Sequence, residues 1–349
     1  MISYNNYIKR LSNIKSDNHY LKKTCPIYDE YIAGLYSALK NLCQVIGEKS
    51  IIDFINKKLQ FDISNFNEAQ YIQSACELSI MSYFSSNSDL KFEYEKKITP
   101  PKDVDFSICK NGINYNVEIK CASYKDKKQT DENQVLITFT NRIPNKDSML
   151  ECVKQRLSPH GKEVIEEKNR DNNLKDFLLN AQSKFNNASN NDVNILIVCC
   201  DDQADMYIWK EYLFNYGGFF TEESPVKHEE FEKVDYVLIT NLFHRHDKYY
   251  TDVTLSNLWS LSHSFCLLYP NRYSLRNRNF IGYGIEDVRQ LSTIFPNFSE
   301  EFVNYMDDDN DLPEGESIET KKSVAGILFF IDKYHKNKCY FKPTPKTTK

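Results

Sequence analysis

Glycine and proline are scarce in this 349-residue chain, at 10 and 11 residues, which excludes a collagen-like or loop-dominated protein. No apolar run approaches the ~18 residues of a membrane span. The polar stretch Met1–Arg10 lacks the apolar segment of a secretory signal, so a cytoplasmic protein without a membrane role is expected. The ten cysteines include no C-x-x-C pair, which removes zinc ribbons and thioredoxin-like redox motifs. Several, such as Cys76, Cys199, Cys200 and Cys266, lie in apolar runs and read as buried, reduced thiols. Positive charge is not in excess either. A net charge of −5 gives no basic coat for nucleic acid, although a local basic groove would suffice.

What is present can build a core, because 41% of the residues are hydrophobic and 13% aromatic. Residues 1–65 read as a helical region, with Tyr31, Leu35, Leu39, Leu42 and Ile46 at helical spacing and a second helix over Ser50–Lys58. A helix over 67–85 has Asn67 as N-cap and Gln70 as capping-box partner, with Ile72, Cys76, Ile80 and Tyr83 on one face. Glu77 stands in its middle. Strands follow at 91–98, 103–110 and 113–121, the last two joined by Asn111-Gly112, the strongest short hairpin signal. A helix over 174–185 and apolar strands at 193–200 and 234–240 complete the pattern. Residues 124–133 and 158–172 read as loops, 306–318 as an acidic loop, 324–334 as one more element and 341–349 as a loose tail. The order predicts an α/β sandwich with a mixed sheet.

The chemistry concentrates at 103–120. A two-residue turn at Asn111-Gly112 pairs Lys110 with Ile113, which sets Asp105 opposite Glu118 and Asp103 opposite Lys120. Strand alternation then puts these four side chains on one face, with Val104, Phe106, Val117 and Ile119 on the other. Opposed Cβ atoms lie roughly 4.5–5.5 Å apart, so Asp105 and Glu118 would repel unless a cation lay between them. Mg²⁺ prefers hard oxygen ligands of this kind. The alternative is a solvated hairpin face with charged side chains and no ligand.

Asp105 followed by Glu118-Ile119-Lys120, after a helix with an internal Glu, resembles the PD-(D/E)XK nuclease superfamily. The resemblance covers about residues 67–200 and points to no particular subfamily. It implies a restriction-endonuclease-like α/β/α sandwich with a central mixed sheet, over a nuclease core of 66–270 between the helical region 1–65 and a C-terminal extension 271–349. It further implies that Asp105 and Glu118 are metal ligands, with Glu77 an additional ligand or water-holding group. Lys120 would orient or help deprotonate the attacking water, and Gln182 would point at the site. A Pro-Asp pair is missing, since Val104 precedes Asp105, and this leaves Asp103 as a competing ligand. The implied activity is Mg²⁺-dependent cleavage of phosphodiesters, with Mn²⁺ able to substitute and DNA as the expected substrate, in a restriction or anti-phage setting. Alternatives are an RNA-directed nuclease, or a nucleic-acid- or partner-binding subunit whose cleavage is weak or conditional. A protein partner or a homodimer through residues 1–65 is a further expectation.

Other signals are weaker. His244-Arg245-His246-Asp247 invites a zinc reading or a phosphate contact by Arg245, against an exposed polar loop. Gly217-Gly218 reads as a turn before Phe219 and Phe220, without the Lys-Ser/Thr of a phosphate loop. Trp209 and Trp259 read as core or interface residues rather than base-stacking platforms. Lys125, Lys127 and Lys128 could touch a phosphate backbone or simply be solvated. A Ser/His/Asp nucleophile elbow is not visible.

Overall fold

In this computed structural model the described residues are 3–279, apart from 24, 123–133, 138–150, 152–153, 156–157, 162, 167–169, 187–190, 202, 215–216 and 252–254, together with 291–296. The chain opens with helices α1 (Tyr4–Ser12), α2 (Tyr28–Asp53) and α3 (Glu68–Ser85). Strands β1 (Lys91–Tyr94), β2 (Phe106–Lys110) and β3 (Ile113–Cys121) follow, then a small pair, β4 (Gln134–Ile137) and β5 (Glu163–Glu166). The remainder alternates: α4 (Asp171–Lys184), β6 (Asp192–Cys199), α5 (Gln203–Phe214), β7 (Tyr236–Thr240), α6 (Leu242–Asp247) and β8 (Cys266–Pro270).

Six strands form one mixed sheet in the order β1-β2-β3-β6-β7-β8. β1, β2 and β3 are antiparallel neighbours, β3, β6 and β7 run parallel, and β8 returns antiparallel to β7. The parallel centre explains why β6 and β7 are almost wholly apolar: both of their faces are covered. On the first face α2 and α3 pack against Phe106, Ile108, Val117, Ile119, Ile195 and Ile197. On the second, α4 and α5 bring Leu174, Leu178, Met206 and Trp209 against Leu196, Val198, Val237 and Ile239. Among the described residues, no helix is long and apolar enough to cross a membrane.

The hairpin forms as its turn dictates. Asn111 and Gly112 both have positive φ (54° and 82°), the type I′ requirement, and the ladder runs from Lys110↔Ile113 to Phe106↔Val117. β2 is shorter than the expected 103–110. Before Phe106 the chain turns toward β1, with the Val104 amide donating to the Lys96 carbonyl at 3.0 Å. Val104 therefore joins the second core, not the first with Phe106. β1 likewise stops at Tyr94 rather than at residue 98.

Other elements depart from expectation for local reasons. α3 is buried nearly all round, so no single apolar face exists to read. Its N-cap is Asn67, whose side chain accepts from the Gln70 amide at 3.2 Å, but the reciprocal bond to the Asn67 amide comes from Gln60 at 2.8 Å, not from Gln70. The second expected N-terminal helix continues α2 through a kink at Gly47 (φ 82°) and ends in a π-turn at Phe54–Lys58. Residues 1–65 have no separate core, for Tyr7, Tyr20, Tyr31 and Leu35 share the first-face cluster with the sheet. Part of the expected loop 158–172 forms β5 and the start of α4, and β8 was not expected at all. The expectations for 124–133, 306–318, 324–334 and 341–349 lie outside the described residues.

Candidate functional site

On the second face β3 presents Asn114, Asn116, Glu118 and Lys120 in alternation. A buried polar ladder pins this strand sideways. Ser107 donates to Asn116 at 3.0 Å, Asn116 to Asn194 of β6 at 2.9 Å, and Asn194 to the Lys233 carbonyl at 2.9 Å. Apolar side chains would allow the strands to slide, whereas a one-residue slip here would orphan every member of the chain of amides.

Asp105 is the first residue beyond the β2–β3 ladder. Continuing the register places it opposite Glu118, as the turn required. Its Oδ2 accepts from the Ile119 amide at 2.6 Å, so the carboxylate stands where the next backbone carbonyl of the ladder would be. Its own carbonyl accepts from the Glu95 amide at 3.0 Å, holding the residue between β1 and β3. Part of the residue surface stays accessible, but the carboxyl group is enclosed. Burial first, then the Glu118 and Glu77 charges, push its pKa up to about 8, against the pull of the Ile119 amide and Lys184.

Glu118 is wholly buried, in the middle of the strand. Its Oε1 is 2.6 Å from the Lys120 ammonium and 2.7 Å from that of Lys184, which also donates to Oε2 at 2.9 Å. A buried carboxylate is tolerable only when paired in this way. Glu77 comes from α3. Its Oε1 accepts from Gln73 at 3.0 Å and its Oε2 lies 3.3 Å from the Lys58 ammonium. Burial opposes the charge on Lys58, yet Glu77 and Asp105 outweigh it and its pKa rises. Glu118 thus holds Lys120 and Lys184, Glu77 of α3 holds Lys58, and Asp105 stands within electrostatic reach of both carboxylates.

Two expected members are placed elsewhere. Asp103 lies in the segment before β2, outside the ladder, so it is not set opposite Lys120, whose partner is Glu118. Gln182 spans to the segment before β7, accepting from the Lys233 amide at 2.8 Å and donating to the Glu229 carbonyl at 3.1 Å. Leu174, Leu178 and Ala181 form the buried stripe of α4, and Gln182 and Lys184 flank it on opposite sides. Lys184 is the flank that faces β3. Its proximity to that stripe was visible in the sequence, but which flank overhangs β3 depends on how α4 lies across β6. Lys58 carried no such signal.

The histidine segment is neither an exposed loop nor an extended pair of ligands. Residues 242–247 are helical, so His244 and His246 do not share a face. His246 is fully buried, within 3.1 Å of the Tyr31 hydroxyl and 2.9 Å of the Ser79 hydroxyl, and burial lowers its pKa to about 3. Arg245 is also buried and donates to the carbonyls of Ser256 and Asn257 at 2.6 and 2.8 Å. Trp209 and Trp259 are core residues whose indole N–H groups donate to Asp205 and to the Tyr31 carbonyl. Phe219 and Phe220 are buried behind a turn with Gly217 at positive φ. Lys125, Lys127 and Lys128 lie outside the described residues. Compared with models of known protein families, with curated proteins and with solved structures, the chain matches none.

Proposed function

We propose that the protein is a divalent-metal-dependent nuclease of restriction-endonuclease-like fold that hydrolyses phosphodiester bonds, with DNA as its substrate. The observation that carries this reading is the registered hairpin, which sets Asp105 beside Glu118 with Lys120 two residues on along the same face. The architecture is compatible with it: a helix bearing Glu77, three antiparallel strands, a separate two-stranded pair, then a helix and a parallel strand build a mixed sheet with helices on both faces, the arrangement that the PD-(D/E)XK resemblance implies.

The donor chemistry suits a hard divalent cation, since Glu77, Asp105 and Glu118 supply carboxylate oxygens only; the three are not gathered within 4.8 Å of one another, so a bound ion would have to draw them together. Burial first, then the Glu118 and Glu77 charges, raises the pKa of Asp105. Asp105 and Glu118, with Glu77, would hold Mg²⁺, or Mn²⁺ in its place. When bound, the cation polarises a phosphoryl oxygen and lowers the pKa of a water. The chain's own residues do the rest. Lys120, held against Glu118 at 2.6 Å, keeps a positive charge where a phosphoryl group gains negative charge. Lys184 adds a second positive charge on the same carboxylate, and the Ile119 amide fixes the direction of Asp105. A restriction or anti-phage role rests on the family resemblance alone.

A second reading has one observation in its favour. Glu118 is fully buried and both of its oxygens are within 2.9 Å of ammonium groups, a closed arrangement that suits a binding subunit whose cleavage is conditional. The experiment that separates the two uses plasmid, linear duplex, single-stranded DNA and RNA, each with Mg²⁺, Mn²⁺ or EDTA. The nuclease reading predicts cleavage with metal and none with EDTA, lost in Glu118→Ala and in Lys120→Ala while circular dichroism stays unchanged. Cleavage that survives both substitutions sinks it. Retained nucleic-acid binding without cleavage of any substrate favours the binding subunit, and cleavage of RNA alone moves the substrate.

A further inference from the structure

Across the sheet from Glu118 and Lys120, on its first face, three cysteines converge. Cys121 follows Lys120 on β3, and Cys199 is its registered partner on β6. Cys76 comes from α3, one residue before Glu77. The three sulfurs lie within 4.8 Å of one another. Of the eight free cysteines among the described residues, only these form such a group. We propose that Cys76, Cys121 and Cys199 are a three-thiolate site for a thiophilic d¹⁰ cation, Zn²⁺ or Cu⁺.

Geometry favours this over chance burial of three small hydrophobic side chains. With metal–sulfur bonds of about 2.3 Å, thiolate sulfurs stand about 3.8 Å apart in a tetrahedral set and about 4.0 Å in a trigonal one. The observed group therefore needs to close by less than about 1 Å. The backbone is already fixed for it, since Cys121 and Cys199 are held by the parallel ladder and Cys76 by a helix buried on nearly every side. The donors are sulfur only, which selects Cu⁺ and Zn²⁺ over the hard cations suited to the opposite face. Cys76 and Cys199 are fully buried, and Cys121 is half-buried with its thiol enclosed beside theirs.

Binding is a simple exchange. Each of the three thiols gives up its proton to solvent as its sulfur bonds the cation, leaving a complex of net charge −1 with Zn²⁺ or −2 with Cu⁺. No oxidant or reductant is consumed. The bound ion would tie α3, β3 and β6 together one residue away from both Glu77 and Lys120, so its role is to position them. It rests on sulfur ligation alone and does not depend on the nuclease reading.

The test uses the full-length protein, reduced and stripped of metal. Co²⁺ and Zn²⁺ are titrated in one arm and Cu⁺ in another, against a colorimetric chelator. One equivalent per chain is expected in at least one arm, with thiolate-to-cobalt charge-transfer absorption marking the sulfur ligands. Affinity should fall at least tenfold in Cys76→Ser, Cys121→Ser and Cys199→Ser, and stay unchanged in Cys43→Ser and Cys109→Ser. To keep the test independent of variant folding, the wild-type protein is also alkylated with and without metal and its peptides weighed. Protection of Cys121 of at least tenfold in rate by one equivalent of Zn²⁺ or Cu⁺ is the expected result. Absence of thiolate–cobalt absorption together with unprotected Cys121 in both arms overturns the proposal. So does one-equivalent binding that is undiminished in a folded Cys121→Ser protein. Mg²⁺-dependent cleavage is read separately, so a failure here leaves the carboxylate site untouched and the reverse holds too.

Discussion

Glu118 shows how much a single residue depends on its neighbours. Wholly buried, it keeps its place because Lys120 and Lys184 both reach it. Removing one partner leaves the other, so Lys184→Met should cost about 1–3 kcal/mol, less than a fully orphaned charge. Urea unfolding of the metal-free protein measures this, and Mg²⁺ should recover part of the loss because a divalent cation replaces the missing charge. Asp105 supplies a pH signature. Its pKa in the folded protein, about 8, lies above that of an unfolded aspartate, about 3.9. The folded protein therefore keeps a proton that the unfolded chain releases between about pH 4 and pH 8. Across that window the group's contribution to stability declines as pH rises, and the full penalty is felt above about pH 8. Asp105→Asn should remove this slope, gaining on the wild type as pH approaches 8, and saturating Mg²⁺ should flatten the wild-type curve. A metal-free pH–stability curve that Asp105→Asn leaves unchanged would contradict the assigned surroundings of this carboxyl.

At the scale of elements, β3 was the most legible part of the chain. Two local rules, the Asn-Gly turn and strand alternation, were enough to register it against β2, because both act within a few residues. Legibility ended where partners came from far away in sequence. Asp103 left the ladder because the chain before Phe106 bonds to Glu95 and Lys96, just beyond β1. Lys184 and Lys58 reached the cluster through helix placement, which no local pattern encodes. The same limit hid the Ser107–Asn116–Asn194 ladder, whose polar residues sit where an apolar reading of strands expects none. Asn116→Ala removes the partner of the Ser107 hydroxyl and of the Asn194 side-chain oxygen, so a loss of about 2–4 kcal/mol is expected in denaturant unfolding. A loss below ~0.5 kcal/mol would mean that water replaces these bonds and that the ladder does not hold the register.

Over the whole molecule, the N-terminal helices and the sheet behave as one packed body. Residues 1–65 read as a helical region, and its buried side chains share the first-face core with the sheet. Tyr31 of α2 bonds His246 of α6 and accepts from Trp259, and Tyr249 stacks on it at 3.9 Å. Trp259 thus reports on the junction with α2, and Trp209 on the opposite face of the sheet. As the chain has two tryptophans, Trp209→Phe and Trp259→Phe isolate each signal. Urea unfolding should give coincident midpoints for the two, the mark of a single cooperative unit. Separated midpoints would restore an independent N-terminal region.

Under the proposed function, Asp105 and Glu118 share a divalent cation. The most direct test is titration of the metal-free protein with Mn²⁺, following bound ion by electron paramagnetic resonance, with Mg²⁺ as competitor. At least one Mn²⁺ per chain should bind, be displaced by Mg²⁺, and be lost or weakened at least tenfold in folded Asp105→Asn and Glu118→Gln proteins. Mn²⁺ binding of equal strength in both variants, or no binding by the wild type, would contradict it.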